Sequence, residues 1–185
     1  MTALYIALVV LAVGMVLLFN STVRLRNRAR EAFSGIDVQL KRRHDLVPNL
    51  ARVVGAYAEH EREALEGVAR LRGDAQAATA VPDRERTERG LDHGIVKLLA
   101  LVERYPELKA DAGFRRLQDD LVEVEDHLQY ARRYYNGAVR DFNTRIEQLP
   151  ASLLAVVCGW RPFDLFQVAE AEERGAPRIQ GQELA

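Results

Sequence analysis

The chain has 185 residues with 26 basic and 27 acidic side chains, a formal net charge of −1, one cysteine and only 7% aromatic residues. This near-neutral charge argues against nucleic acid as a partner, because phosphate binding needs a strong basic excess. A single cysteine excludes an internal disulfide, and few aromatic residues with abundant Ala, Leu, Glu and Arg are typical of helices rather than sheets.

Residues 3–19 form an unbroken apolar run, and the first charged side chain is Arg24. The hydrocarbon core of a bilayer needs about 17–25 apolar helical residues. A secretory signal would carry basic residues before the run and small residues at a cleavage point, and this stretch has neither. We therefore predict a retained transmembrane anchor over residues 1–23 that contacts membrane lipid.

Four arginines follow the anchor at every second position: Arg24, Arg26, Arg28 and Arg30. Because the side rich in Lys and Arg normally stays in the cytoplasm, we predict a single-pass cell-membrane protein with its N-terminus outside and the rest cytoplasmic. The alternating spacing favours a collar around the helix that suits contact with anionic headgroups. The same arginines also fit one solvated helix face.

From Leu25 to Leu71, apolar or small residues recur at steps of three and four along most of the sequence, which predicts a helix. Pro48 lies inside this pattern, where a proline removes one backbone hydrogen bond. One helix kinked near His44 or Asp45 is favoured over two helices, but Asp45 also suits the cap of a new helix.

The polar block 41–45 interrupts the apolar pattern just before Pro48. The favoured interpretation is structural, with Arg or Lys satisfying carbonyls that the kink frees. The alternative is a site for an anion or an acidic partner, with Arg42, Arg43 and His44 as the contact group; His44 has the side-chain type that titrates near neutrality.

Residues 73–86 lose the period and contain Pro82, which predicts a loop. A second helix is predicted from about Asp83 to Arg104, weakened by Gly90 and Gly94, with Tyr105-Pro106 ending it. A third helix is predicted from about residue 111 to 149, where the spacing of apolar residues is most regular.

After Pro150 the chain carries many apolar residues and its one tryptophan. We expect a short helix that closes the end of the helical domain, with Trp160, Phe163 and Phe166 buried. Docking of residues 150–166 on the membrane interface or in a partner's groove remains open. The tail, residues 167–185, lacks a period and is predicted to be disordered.

The pattern aromatic-Asn-x-x-Val-Arg-x-x-Asn occurs twice, at residues 19–27 and 135–143. Asparagines seven residues apart lie on one helix face, where polar pairing fixes the register of packed helices. The alternative is a self-association surface that includes Asn136, Arg140 and Asn143.

The sequence offers no pattern typical of an enzyme. None of its four histidines completes the Glu-x-x-His pair of a di-iron site or a His-Glu-x-x-His zinc site, and it has no glycine-rich phosphate loop or nucleophile elbow. We therefore predict no catalytic residue, no cofactor and no metal, and no small-molecule substrate is identifiable.

Three long blocks of the sequence carry a resemblance to a known family. They are residues 20–50, containing Glu31-Ala32-Phe33-Ser34-Gly35-Ile36-Asp37-Val38-Gln39-Leu40 and His44-Asp45-Leu46-Val47-Pro48-Asn49-Leu50; residues 105–110, Tyr-Pro-Glu-Leu-Lys-Ala; and residues 134–143, Tyr-Tyr-Asn-Gly-Ala-Val-Arg-Asp-Phe-Asn. In these blocks the chain resembles the LemA family of bacterial membrane-anchored proteins. The resemblance implies an N-terminal transmembrane helix and an elongated helical bundle, and it implies no established activity.

The predicted fold is all-α, an N-terminal transmembrane helix followed by an elongated antiparallel bundle of three to four long helices over residues 24–166. The predicted function is a non-enzymatic, membrane-anchored scaffold or adaptor that binds another protein. Candidate partner or self-association contacts are Arg42, Arg43, His44, Asn136, Arg140, Asn143, Trp160, Phe163 and Phe166. The alternative function is a self-assembling membrane-surface protein that organises or remodels lipid, using the arginine collar and residues 153–166.

Overall fold

The computed structural model describes residues 1–58 and 60–166, which contain six helices and no strand. The all-α prediction is confirmed, whereas the predicted tail over 167–185 lies outside the described residues. The helices are α1 (Thr2–Tyr57), α2 (Arg62–Ala77), α3 (Val81–Val102), α4 (Pro106–Ala110), α5 (Ala112–Glu147) and α6 (Ala151–Cys158).

The N-terminal part of helix α1 is apolar and exposed. Its most apolar 18-residue window has a mean hydropathy of 2.7, and none of that window is buried by the rest of the chain. By length and composition, this part of α1 is suited to crossing a membrane. The same helix continues without a break through Pro48 and ends at Tyr57.

The prediction of one helix reaching Leu71 is wrong, because α1 ends at Tyr57 and α2 begins at Arg62. Helix α2 runs back beside α1, since Leu65 faces Gly55 and Arg72 bonds to His44, and it packs on α3. The predicted loop over 73–86 is also too long, since α2 reaches Ala77 and α3 begins at Val81. The apolar period crosses the reversal because α2 buries Val68 and Ala75 in the same core as α1, so periodicity alone does not reveal the turn.

Gly94 allows α2 and α3 to approach closely. A Cβ atom placed on Gly94 would lie 2.9 Å from Leu71 Cδ1 and 3.1 Å from Val68 Cγ2. The glycines that weaken the predicted second helix therefore lie where α2 rests on α3, and Gly90 likewise faces Leu71.

Helix α5 is the longest helix after α1. It begins at a cap in which Asp111 Oδ1 accepts a 2.8 Å hydrogen bond from the backbone N–H of Phe114. The sequence predicts a helix over residues 111–149, and the observed helix covers Ala112–Glu147. The short α4 between α3 and α5 was not predicted; its Pro106 occupies the first helical position, where proline is favoured.

Helices α1 and α5 lie antiparallel. Arg43 contacts Glu125, the rings of Phe33 and Tyr135 are 5.5 Å apart between centroids, and Leu25 packs with Phe142 near the apolar part of α1. The end of α5 therefore returns to the apolar end of α1.

Helix α6 lies at this apolar end, where the rings of Trp160 and Phe19 stack with centroids 5.6 Å apart. Gly159 turns the chain with a φ of 63°, a conformation that favours glycine. Residues 160–166 then run back along α5. The expectation that all three aromatic residues are buried is wrong, since only Phe166 is buried, whereas Trp160 and Phe163 are half-buried.

Candidate functional site

A buried polar cluster joins α1, α3 and α5 midway along the packed helices. Glu88, with no exposed surface, accepts a 2.7 Å hydrogen bond from His44 Nε2 at Oε1, and its Oε2 lies 3.7 Å from Arg43 Nη1. The second terminal nitrogen of Arg43, Nη2, pairs with Asp92 and lies 3.7 Å from Glu125 Oε2. The cluster therefore connects three helices through charge.

The electrostatic balance of this cluster depends on Arg43. Burial lowers the pKa of Arg43, and the carboxylates of Glu125 and Glu88 oppose that shift. A guanidinium stays protonated even so, so Arg43 is a buried cation balanced by acidic side chains of its own chain. Of the predicted contact group, Arg43 and His44 are buried here and Arg42 is exposed.

The carbonyl freed by Pro48 is satisfied from another helix. Arg72 Nε on α2 donates a 2.6 Å hydrogen bond to the backbone oxygen of His44, four residues before the proline. An Arg or Lys was expected in this role, and the donor is Arg72 rather than a member of the 41–45 block.

Two asparagines on α5 hold the backbone of the segment that follows α6. Asn143 donates to the carbonyl oxygen of Phe163 and accepts from its N–H, both at 3.0 Å. Asn136 makes the same pair with Phe166, at 2.6 and 2.8 Å. The polar pairing thus involves the chain's own backbone, and Arg140 between them is exposed.

Tyr135 is the third side chain of α5 that holds this segment, and we call Tyr135, Asn136 and Asn143 the clamp. Its hydroxyl donates a 2.8 Å hydrogen bond to the carbonyl oxygen of Asp164. Burial, with a smaller contribution from the Asp164 carboxylate, raises the pKa of Tyr135 to about 12. Three side chains of α5 therefore fix residues 163–166 through main-chain contacts.

The four arginines after the apolar run are not equivalent. Arg24, Arg28 and Arg30 are exposed and Arg26 is half-buried. Arg28 Nε donates a 3.3 Å hydrogen bond to the hydroxyl of Tyr134, and its guanidinium lies 5.5 Å from that ring centroid. The hydrogen bond raises the pKa of Arg28.

A groove of about 280 Å³ separates α1 from α5 on one side of the molecule. Gly35 and Gln39 of α1 and Tyr130 and Tyr134 of α5 lie along it. Tyr130 is 67% exposed, and Gln39 Oε1 is buried without a hydrogen-bond partner among the described residues. We call these four residues the tyrosine groove.

Sequence reasoning missed both Glu88 and the tyrosine groove. Glu88 could have been found from the sequence. It lies three residues before Leu91, so an acidic side chain occupies a position on the apolar side of α3. The tyrosine groove carried no such signal, because exposed tyrosines on a charged helix do not reveal which helix lies beside them.

The described residues contain no group of three or more His, Cys, Asp or Glu side chains that could hold a metal ion. What the arrangement can do is hold helices and a C-terminal segment in fixed positions and present exposed aromatic and basic side chains.

Comparison with known proteins gives one family match. The model of the LemA family matches residues 32–180. The magnetosome protein MamQ of Magnetospirillum gryphiswaldense is 23% identical over 190 residues, covering 87% of this chain and 69% of the relative. The magnetosome proteins MamQ 1 and MamQ 2 of Paramagnetospirillum magneticum are each 24% identical over 178 residues, and the match covers 80% of this chain and 64% of their length.

Proposed function

The chain belongs to the LemA family, as its residue blocks indicate, and we propose that it is a non-enzymatic, membrane-anchored helical scaffold that binds another protein. The relatives are named as magnetosome proteins, which is compatible with a membrane-associated structural role. The packed helices would act as an elongated antiparallel bundle on the cytoplasmic side.

The observation that carries this proposal is the continuity of α1. One unbroken helix of 56 residues, about 84 Å long at 1.5 Å per residue, contains both the apolar run and two members of the buried polar cluster, Arg43 and His44. Because no flexible linker separates the two parts, the anchor would hold the packed helices at a fixed position relative to the membrane. This geometry suits a protein that positions a partner.

The tyrosine groove is the surface we assign to the partner. Tyrosine is enriched among the residues that dominate protein interfaces, because it buries a large ring and keeps a polar hydroxyl. Gly35 leaves open space, with no atom within 4 Å of a Cβ placed there, so a side chain of the partner would fit against α1.

Site-specific crosslinking in cells tests the proposal. A photoreactive amino acid replaces Tyr130 or, as a matched control, Val96 on α3, which is 63% exposed outside the groove. We expect a discrete adduct from position 130 and none from position 96. The crosslinked protein is then purified, and its affinity for the full chain in mild detergent should fall with Tyr130→Ala and not with Val96→Ala.

Absence of any adduct specific to position 130 would remove the groove as the binding surface. If the purified partner bound the Tyr130→Ala variant and the unaltered chain equally, the crosslink would reflect proximity only. Either outcome would contradict the assignment of the partner to the tyrosine groove.

A further inference from the structure

Helix α6 presents an apolar surface to its surroundings. Leu153, Val156 and Val157 are 63%, 82% and 84% exposed, and α6 itself contains no charged residue. We call these three residues the α6 face. Contiguous exposed apolar side chains of this kind mark a surface that another phase or molecule covers.

The other side of α6 is fixed to the protein. Ala151 and Ala155 are buried, and Ala155 packs in a core with Phe142 and Ile146 of α5. The small residues therefore attach α6 to α5, and the larger residues point away. The helix is oriented by its own packing, so the exposure of the α6 face does not result from a loose end.

The position of α6 indicates what covers this face. Trp160 directly follows α6 and Gly159 and stacks on Phe19 with ring centroids 5.6 Å apart, and Phe19 is the last residue of the apolar run. Tryptophan is enriched at membrane–water interfaces, where its ring is apolar and its N–H is polar. The end of α6 next to Trp160 therefore lies level with Phe19, where the apolar part of α1 would leave the bilayer.

Exposed basic side chains surround the same end of the molecule. Arg24 and Arg28 lie on α1, Arg140 lies on α5, and Arg161 follows Trp160; all four are exposed. Acidic residues are present too, since Asp141 and Glu147 are exposed on α5. Basic side chains beside an apolar surface match a lipid interface with anionic headgroups.

We infer that the α6 face docks into the interfacial region of the membrane that α1 crosses. The protein then contacts lipid at two places, the apolar part of α1 and the α6 face. The two contacts would set the tilt of the packed helices and orient the tyrosine groove. The inference rests on the membrane anchoring in the proposed function and not on partner binding.

The probe is placed on the α6 face itself. Cys158 is the only cysteine and lies on the same side of α6 as the buried Ala151 and Ala155, so it is replaced by serine. The full chain with Cys158→Ser and Leu153→Cys carries a nitroxide spin label at position 153 and is reconstituted in vesicles of neutral and anionic phospholipid. Power-saturation measurements compare collisions of the label with oxygen, which concentrates in lipid, and with a water-soluble nickel complex. We expect the label to be more accessible to oxygen than to nickel.

A double substitution on the α6 face is the perturbation. Val156→Glu with Val157→Glu should reverse the preference of the label, so that nickel collisions exceed oxygen collisions. Val122→Glu, at a 58% exposed valine on α5, adds a carboxylate elsewhere on the molecule and should leave the preference unchanged. Circular dichroism checks that helix content is the same in all three proteins.

Two outcomes would overturn the inference. A label more accessible to nickel in the labelled chain without the glutamate substitutions would place the α6 face in water. A label closed to both reagents would show that protein covers this face, from a second copy or a partner. Flotation of the same vesicles separates these results from a failure of anchoring, because a chain that does not float contradicts the proposed function itself.

Discussion

Arg72 of α2 donates a 2.6 Å hydrogen bond from Nε to the backbone carbonyl oxygen of His44 in α1. Pro48 lies four residues after His44 and has no N–H, so α1 itself supplies no i+4 donor to that carbonyl. A side chain from the neighbouring helix thus replaces the bond that the proline removes. This hydrogen bond also joins α2 to α1, so its removal should destabilise both helices.

Replacing Arg72 with alanine should lower the free energy of unfolding by about 1–3 kcal/mol, because it leaves a carbonyl without its charged donor. In a Pro48→Ala background, the new N–H at position 48 can bond to His44, so the cost of Arg72→Ala should be smaller. Urea unfolding of the full chain in mild detergent, followed by circular dichroism, measures this double-mutant cycle. Equal costs in the two backgrounds would contradict the compensation.

Glu88 should be among the most sensitive charged positions. Glu88→Ala leaves His44 without its hydrogen-bond acceptor and Arg43 buried with one carboxylate fewer, which we expect to cost about 3–5 kcal/mol. Arg89→Ala is the control, since Arg89 is exposed and pairs with Glu85 one turn away. Its cost should be within about 1 kcal/mol. Similar unfolding curves for the two variants would disprove a structural role for the buried cluster.

Each asparagine of the clamp should protect its own amide. Phe166 donates its N–H to Asn136 and Phe163 donates to Asn143, so Asn136→Ala should speed hydrogen exchange at Phe166 most and Asn143→Ala at Phe163 most. NMR of the full chain in detergent resolves the two amides. Asn27→Ala, at an exposed asparagine of the first pattern copy, should change neither rate. Exchange that accelerates equally at both amides in both variants would contradict separate clamps.

The raised pKa of Tyr135 predicts that the protein loses stability at high pH. Its pKa of about 12 exceeds the value of about 10 in an unfolded chain, so the neutral hydroxyl is favoured by folding. This contribution is complete below about pH 10 and is lost as the pH rises through about 12. Absorbance at 295 nm follows the ionisation of tyrosine, and Tyr135→Phe should remove a step near pH 12. An unchanged titration in the variant would assign the step elsewhere.

Two glycine-to-alanine substitutions should change the stability of the protein in opposite directions. Gly73 of α2 has no atom within 4 Å of a Cβ placed there, so Gly73→Ala should stabilise the protein by about 0.5–1 kcal/mol through helix propensity. At Gly94 the Cβ would press on Leu71 and Val68, and we expect Gly94→Ala to cost about 1 kcal/mol or more. Thermal unfolding ranks the two variants against the unaltered chain, and a gain at Gly94 would show that α2 can move away.

Several parts of the fold could be predicted because their signals are local. The apolar run specifies a helix suited to crossing a membrane, and the three-and-four spacing of α5 placed that helix to within two residues of its observed ends. The residue blocks also identified the family, since they are long and ordered. In each case neighbouring residues carry the information, so no distant contact is needed to interpret it.

The candidate site was predicted less completely. The sequence singled out Arg43, His44, Asn136 and Asn143 as polar residues in unusual positions, and the structure places all four in contacts that hold the fold. Their partners were not predicted, because those partners are distant in sequence: Glu88 is 44 residues from His44, and Phe166 is 30 residues from Asn136.

The sequence by itself determined the all-helical class, the bounds of α5, the apolar run and the family, because helix periodicity and residue order are properties of neighbouring residues. Only the tertiary structure decided the reversal before Arg62, the partner of each buried charge, and the return of Trp160 to Phe19. The apolar period runs on across the reversal, and either side of a helix reversal can fill the same core. Local helix propensity does not distinguish these arrangements of the helices. Contacts between residues that are distant in sequence therefore select one of them.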